Sequence, residues 1–347
     1  MIVKNPLTPM LTTALLVAGL PVAAADVSPA PFLQWFESSY ETQRERTADL
    51  FMAGYGGVWV PPTGRADTGG LSVGYDVFDR FDLGSARSQT AYGSEQGLRN
   101  LTDLMHRAGS NVYVDLIWNH NGFSDKSTPG LPEGGGYPGF VFDAPGLPDG
   151  DFHDIALFQD ELTERLAGLI DINQALNIQL IRHPVEEGNP QNIPAGTVHN
   201  IPNAANAALY PDRDLPGRTV FDPARNTNVT IYDFNADDPL QGDAVTENAT
   251  GLLIRNARWM IQDVGVDGFR LDATRHFPRW VLNFLDEAMF MASRRTNLDG
   301  SPIHAFAFGE QGFGSPQFQQ EFIRKDIHNN NLGQLGGNRD VLDFNFF

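Results

Sequence analysis

Apolar positions along this chain fall into short dense runs separated by longer stretches where they recur every three or four residues. Pro31 to Phe36 is the first dense run and reads as a strand. Residues 40–53 set Ala48, Leu50 and Phe51 among charged positions, which suits a helix, and Gly54 to Gly57 ends it. Val58-Trp59-Val60 before Pro61 is a short buried strand, with Trp59 read as core. Ser94 then caps a helix in which Leu98, Leu101, Leu104 and Met105 recur at helical spacing. Val112 to Ile117 is a third strand. Strand alternating with helix predicts a parallel sheet with crossover helices.

The rhythm stops at Asn121. From there to about Thr230 the chain is rich in Gly, Pro, Asn and Asp, with one helix candidate at 155–170. A compact domain rarely carries so much irregular chain without a function for it. Residues 121–230 therefore read as a lobe inserted after the third strand, and persisting aromatics argue against a disordered linker. Alternation resumes with a helix over 249–264 and a fourth strand from Val266 to Leu271. A helix over 277–293, a fifth strand from Phe306 to Glu310 and a sixth from Val341 to Phe344 complete it.

Composition narrows the classes. The chain has 347 residues and a formal net charge of −19, which disfavours a nucleic-acid backbone or an anionic membrane as partner. A neutral ligand or a bound cation remains compatible. Residues 1–25 read as a secretory signal peptide: Lys4 opens it, Leu11 to Ala25 is a short apolar run, and Ala23 to Ala25 offers a cleavage site. This points to a secreted or periplasmic protein that no longer contacts a membrane once cleaved. The chain has no Cys, so no disulfide can staple it.

Three polar clusters follow the ends of separate strands: Asp115 with Asn119 and His120, then Arg270 with Asp272 and His276, then Glu310. Each alone could be structural. Alternation puts Arg270 and Asp272 on one face of their strand, and a guanidinium beside a carboxylate favours its ionised form. In a (β/α) barrel, the site is built at the C-terminal face of the strands. The remaining His residues, His106, His183 and His328 among them, read as ordinary surface or helix positions.

Those runs carry a resemblance. Val-Asp-Gly-Phe-Arg-Leu-Asp-Ala-Thr-Arg-His at 266–276 resembles the central motif of the α-amylase family of retaining glycoside hydrolases. Asp115 with Leu-Ile-Trp-Asn-His at 116–120 is similar to its first motif, and Phe308-Gly309-Glu310 to its third. Ile231 to Asn235 resembles the short motif that closes the inserted domain, and Gly74 to Gly84 the stretch after the second strand. The matches are in the family's order and run from about residue 31 onward. The resemblance implies a (β/α)8 TIM barrel formed by 26–120 and 231–347, truncated here after about strand 6, with 121–230 inserted after strand 3.

It also implies roles. Asp272 would be the nucleophile, Glu310 the general acid and then base, and Arg270 the group that keeps Asp272 charged. The apolar run from Ala305 to Phe308 suggests a buried Glu310. Tyr75 would stack under the sugar ring, His120 would bind a sugar hydroxyl, Asp115 would orient its neighbours, and Arg275 and His276 would line the leaving side. Asn119, Asp233 and the His276 carbonyl would hold Ca²⁺, with a further ligand from 150–215. The expected protein is a monomer acting on α-glucans such as starch or glycogen. A transglycosylase, an α-glucosidase, a non-catalytic carbohydrate-binding relative or an inactive fragment stands as the alternative. The family's fourth motif, a His-Asp pair, is absent, which suggests a piece of a longer protein.

Overall fold

The structure is a computed structural model. It describes residues 31–69, 72–84, 86, 89–122, 140, 150–153, 169–174, 180–182, 217–222, 227–232, 245–276, 279–293, 295–296, 299–300, 303–311, 315–319, 322–323 and 339–342. The expected signal peptide 1–25, most of the helix candidate at 155–170, most of the inserted lobe and Asp233 lie outside the described residues, and Ile170 at the end of that candidate begins a strand.

Six parallel strands form one sheet in sequence order: β1 (Phe32–Gln34), β2 (Gly57–Val60), β3 (Asn111–Leu116), β4 (Gly268–Leu271), β5 (Phe306–Gly309) and β6 (Arg339–Val341). Each neighbouring pair is parallel, and Arg270 of β4 sits in register with Asp115 of β3 and Phe308 of β5. The sixth strand lies two residues earlier than its apolar run suggests, because Arg339 and Asp340 pair with Ala307 and Phe308.

The sheet is an arc, and its curl can be read from two side chains. Phe32 on β1 touches Phe308 on β5 at 4.9 Å between ring centroids. In a flat sheet those strands would lie four spacings, about 19 Å, apart. Only a sheet rolled toward closure brings the two rings together, as in the expected TIM barrel. Phe32, Tyr113 and Phe308, from alternate strands, form one layer inside the arc at 4.9–6.1 Å.

Strand parity divides the two faces. Val58, Val60, Val112, Val114, Phe269, Leu271 and Ala307 point outward into a core of buried side chains. Trp59, Tyr113, Asp115, Arg270 and Phe308 share the opposite parity. Three crossover helices cover the outer face: α3 (Glu95–Arg107), α4 (Ala249–Trp259) and α5 (Arg279–Ala292). They supply Leu98, Leu101, Leu252, Leu253, Leu282, Leu285 and Met289, each at most 1% exposed. Ser94 Oγ caps α3 by accepting from the Gly97 amide at 3.2 Å.

Two helices differ from the sequence expectation. The helix over 40–53 is split into α1 (Tyr40–Glu45) and α2 (Thr47–Met52), joined at Arg46. Thr47 Oγ1 donates to the Gln43 carbonyl at 3.1 Å, a back-bond of the kind that bends helices. The helix over 249–264 is α-helical only to Trp259, then widens into one π turn (Met260–Val264) ended by Gly265 at φ 90°. Within that turn Asp263 takes the Trp259 indole N–H at 2.9 Å and pairs with Arg99 at 2.5 Å.

The stretch after β3 is less irregular than its composition suggests. Gly217–Asp222 pairs antiparallel with Thr227–Tyr232, Leu180–Arg182 with Val245–Glu247, and His120–Asn121 with Ile170–Asp171. The last pair attaches this stretch to the end of β3. Among the described residues no helix is long and apolar enough to cross a membrane.

Candidate active site

Arg270 is the hub of the site. It projects from β4 with 5% of the residue exposed. Its Nη1 donates to Asp115 Oδ1 at 2.8 Å and to Asp272 Oδ1 at 2.6 Å. Its Nη2 pairs with Glu310 Oε2 at 2.7 Å. Asp115 arrives by register from β3. Asp272 and Glu310 each follow the last residue of a strand, and their amides extend the ladder, to the Leu116 carbonyl at 3.1 Å and the Leu271 carbonyl at 2.8 Å. Adjacent strands ending at the same level thus set three carboxylates around one fork. Burial opposes the Arg270 charge, but the three carboxylates outweigh it and raise its pKa.

The three acids differ in environment. Asp115 is the deepest, with a fully buried side chain. Burial pushes its pKa up to about 7, against Arg270 pulling it down and Asp272 adding to the rise. Trp59 Nε1 and the Tyr75 hydroxyl both donate to its Oδ2, at 3.3 and 2.9 Å. Asp272 is 9% exposed at the side chain, while Glu310 is 35% exposed. The burial expected for Glu310 is not found: the strand before it ends at Gly309, and the carboxylate stands at the rim. The Ala273 amide also donates to Glu310 Oε2, at 3.3 Å. Ala273 aims it from a left-handed conformation, φ 48°, which is strained for a residue with a Cβ. Thr274 Oγ1 donates to the Glu310 carbonyl at 2.7 Å.

Tyr75 stands beside the cluster, its ring 5.8 Å from the Arg270 guanidinium carbon. Burial, and then the charge of Asp115, raises its hydroxyl pKa. His120 is 1% exposed. Its Nε2 faces the Tyr75 carbonyl at 3.1 Å and its Nδ1 faces the Asn119 amide nitrogen at 3.4 Å. Burial, and then the Arg80 charge, pushes its pKa down to about 3, so the ring is neutral. The partners assign Nε2 as the protonated nitrogen. With both nitrogens engaged, His120 steadies the Tyr75 loop here instead of presenting a free donor to a sugar. Arg275 and His276 lie in a 3-10 turn (Thr274–His276) directly after Asp272, both partly exposed.

For the metal, Asn119 is buried and its amide donates to Asp171 Oδ1 at 3.2 Å. Among the described residues no group of three or more His, Cys, Asp or Glu is placed to hold an ion.

Several residues escaped the sequence reading. Trp59 is core by burial, yet it touches both Asp115 and Arg270. Its parity, opposite to Val58 and Val60, was the available signal. Arg80 is 7% exposed and donates to the Ile117 carbonyl at 3.0 Å, and to the His120 carbonyl and Asn121 Oδ1 at 2.6 Å each. It fixes the turn that carries Asn119 and His120. His106, expected at an ordinary surface or helix position, lies on α3 and also pairs with Asp267 at 2.9 Å.

Comparison with known proteins agrees with the motif reading. Over 242 residues the chain is 26% identical to the cytoplasmic alpha-amylase of Escherichia coli (strain K12), covering 64% of this chain and 41% of that protein. The chain is thus similar in sequence to α-amylases. It is also 30% identical over 128 residues to the alpha-amylase of Geobacillus stearothermophilus, covering 33% of this chain and 23% of the relative. The matches thus span less than half the length of either relative. No family model matches the chain. Among solved structures, the alpha-amylase of Geobacillus thermoleovorans complexed with acarbose aligns at a TM-score of 0.44 and 15% identity, over 83% of this chain and 44% of that one.

Proposed function

We propose that this α-amylase relative hydrolyses α-1,4-glucosidic bonds in starch- or glycogen-type glucans with retention at the anomeric carbon. The observation that carries the reading is the single guanidinium of Arg270, in contact with both Asp272 and Glu310 at the ends of adjacent strands. Retention requires an acid and a nucleophile about 5–5.5 Å apart, and one fork spanning both side chains suits that separation. Glu310 gives a proton to the glycosidic oxygen while an Asp272 oxygen attacks the anomeric carbon, and the shortened glucan departs with that proton. Glu310 then takes a proton from water, which attacks the same carbon and frees Asp272. Arg270 holds Asp272 in place. Tyr75 packs beneath the ring, with Asp115 fixing its hydroxyl and His120 its backbone. Arg275 and His276 line the leaving side.

Substrate entry has one structural requirement. Glu310 is bound to Arg270 in the ligand-free site, so it must swing from the fork to reach a glycosidic oxygen. Its exposure at the rim leaves room for that movement.

Calcium fits what is described of the inserted stretch. Asn119 and Asp171 bring two buried polar side chains together, each able to offer oxygen to a hard cation. With Asp233 and the His276 carbonyl they would hold Ca²⁺, which supplies charge that ties the lobe to the barrel. In this reading 26–120 and 231–347 form the barrel, 121–230 the lobe, and 1–25 directs export of a monomer.

The test is incubation of the chain with maltoheptaose, following new reducing ends and the configuration of the product by proton NMR. Asp272→Asn and Glu310→Gln each lower the rate by about a thousandfold or more. An inverted product, or unimpaired turnover in either variant, would falsify the assignment. Binding of maltoheptaose without cleavage would favour the carbohydrate-binding alternative.

A further inference from the structure

We propose that Trp59 is a positioning residue of this site: it is the rigid reference that fixes the Asp115–Arg270 pair and hence the fork that holds Asp272. The inference rests on the functional reading above and extends it to a residue that touches neither reacting carboxylate.

The argument begins with what holds Arg270. Among the described residues its hydrogen bonds run through the two Nη atoms, and its buried Nε meets no partner. Among the described residues, rotation of the fork is therefore restrained by the carboxylates and by the rings packed on it. Two rings do so, Trp59 at 5.4 Å and Tyr75 at 5.8 Å from the guanidinium carbon. The same two residues are the donors to Asp115 Oδ2.

They are not equivalent supports. Tyr75 sits in a loop and is partly exposed. In the proposed mechanism it meets the sugar, so its position changes with occupancy. Trp59 lies within β2, is 8% exposed, and is clamped edge-on between Phe36 at 5.2 Å and Phe308 at 5.5 Å. Its indole N–H therefore meets Asp115 from a fixed direction whether or not a ligand is bound. The other charged or titratable groups acting on Asp115 are Arg270 and Asp272 from the β4 end, Tyr75 from its loop, and the Tyr92 hydroxyl, which feels the Asp115 charge.

A donor to a carboxylate favours its ionised form. Removing the indole N–H while keeping the ring should therefore make Asp115 harder to ionise. The experiment is a carbon-13 NMR titration of the Asp115 carboxyl in the full chain, with the resonance assigned by Asp115→Asn. In Trp59→Phe the midpoint rises by about 1 pH unit, the size of one lost hydrogen bond to a charged group. On maltoheptaose kcat falls about tenfold while KM stays within about twofold, because the defect lies in alignment and not in binding. A benzothiophene in place of the indole at position 59 preserves shape and removes only the donor. It gives the same titration shift, and it carries the test if Trp59→Phe does not fold.

A merely structural Trp59 would lower the melting temperature of Trp59→Phe and leave the Asp115 midpoint where it was. An unmoved midpoint in the folded isostere overturns the proposal. A wild-type chain that does not cleave maltoheptaose removes the functional reading, and the titration still decides whether Trp59 governs Asp115.

Discussion

Replacing Arg270 by Met removes the only described cation in contact with Asp115, Asp272 and Glu310 together. Breaking one side of a buried ion pair costs about 3–5 kcal/mol, because the partner is left charged in a poor solvent. The loss should also depend on pH, and its sign follows from Asp115. Its carboxyl is pushed up to about 7 in the folded protein against an ordinary value of 3.8. Between those values the folded wild type keeps a proton that the unfolded chain has released. Stability therefore falls as pH rises from about 4 to about 7 and is level, as far as this group is concerned, above 7. Arg270 is the strongest influence pulling that carboxyl down. Without it the proton is retained past pH 7, and the falling window extends upward. Each further pH unit then removes about 1.4 kcal/mol from the variant and nothing from the wild type. Urea unfolding of both proteins at pH 6 and pH 8 measures the difference. The penalty for Arg270→Met should be about 1.4 kcal/mol larger at pH 8, and Asp115→Asn in the same chain should abolish that increment. An equal penalty at both pH values would refute the reasoning.

Other outcomes follow from single contacts. Gly268→Ala should lose about 4 kcal/mol or more in urea unfolding, since a Cβ at φ 145° would lie 1.8 Å from the Phe306 carbonyl oxygen; wild-type stability in that variant would mean β4 and β5 pack differently. Arg339→Met should cost about 3–5 kcal/mol, because Asp286, fully buried at the side chain, meets Arg339 through two hydrogen bonds of 2.9 and 3.1 Å. Adding Asp286→Leu should recover much of that loss, and a double variant as unstable as the single one would count against the pairing. Ser94→Ala should cost about 1 kcal/mol through the lost cap on α3, read from the same unfolding curves.

Much of this arrangement was legible in the sequence because it depends on period and neighbourhood. Alternation along Gly268 to Leu271 puts Arg270 and Asp272 on the face of the site. The Ser94 cap and the Leu98 and Leu101 spacing predict α3 directly. What could not be read depends on contacts between distant residues. Trp59 lies 56 residues from Asp115, and Val58-Trp59-Val60 looks the same whether the indole meets a carboxylate or a methyl group. Asp267 draws His106 from 161 residues away, so a helix histidine becomes the more exposed half of a part-buried pair. The break at Arg46 and the π turn after Trp259 arise from side chains that compete for backbone groups or hold a turn from outside it, which apolar spacing does not record. The exposure of Glu310 also could not be inferred from the apolar run before it, since alternate residues of that run face the outer core.

The unequal depth of the three acids explains how one guanidinium can hold them all. Three ionised carboxylates around one cation would leave excess negative charge in a poorly solvated place, and that excess must be relieved somewhere. Glu310 has solvent at the rim and the Ala273 amide. Asp272 shares Arg270 Nη1 with Asp115. Asp115 has no solvent, so it is where burial raises the pKa toward neutrality. Near pH 7 it can hold a proton and still accept from Arg270, because a carboxylic acid retains an acceptor oxygen. A site built this way can keep its central ion pair directed at Asp272, the group proposed to attack, and place the adjustable proton on the one acid farthest from the substrate. Tyr75, Trp59 and Arg270 all converge on Asp115. The residue that sequence motifs cast as mere support is thus the one through which the charge of the whole cluster is balanced.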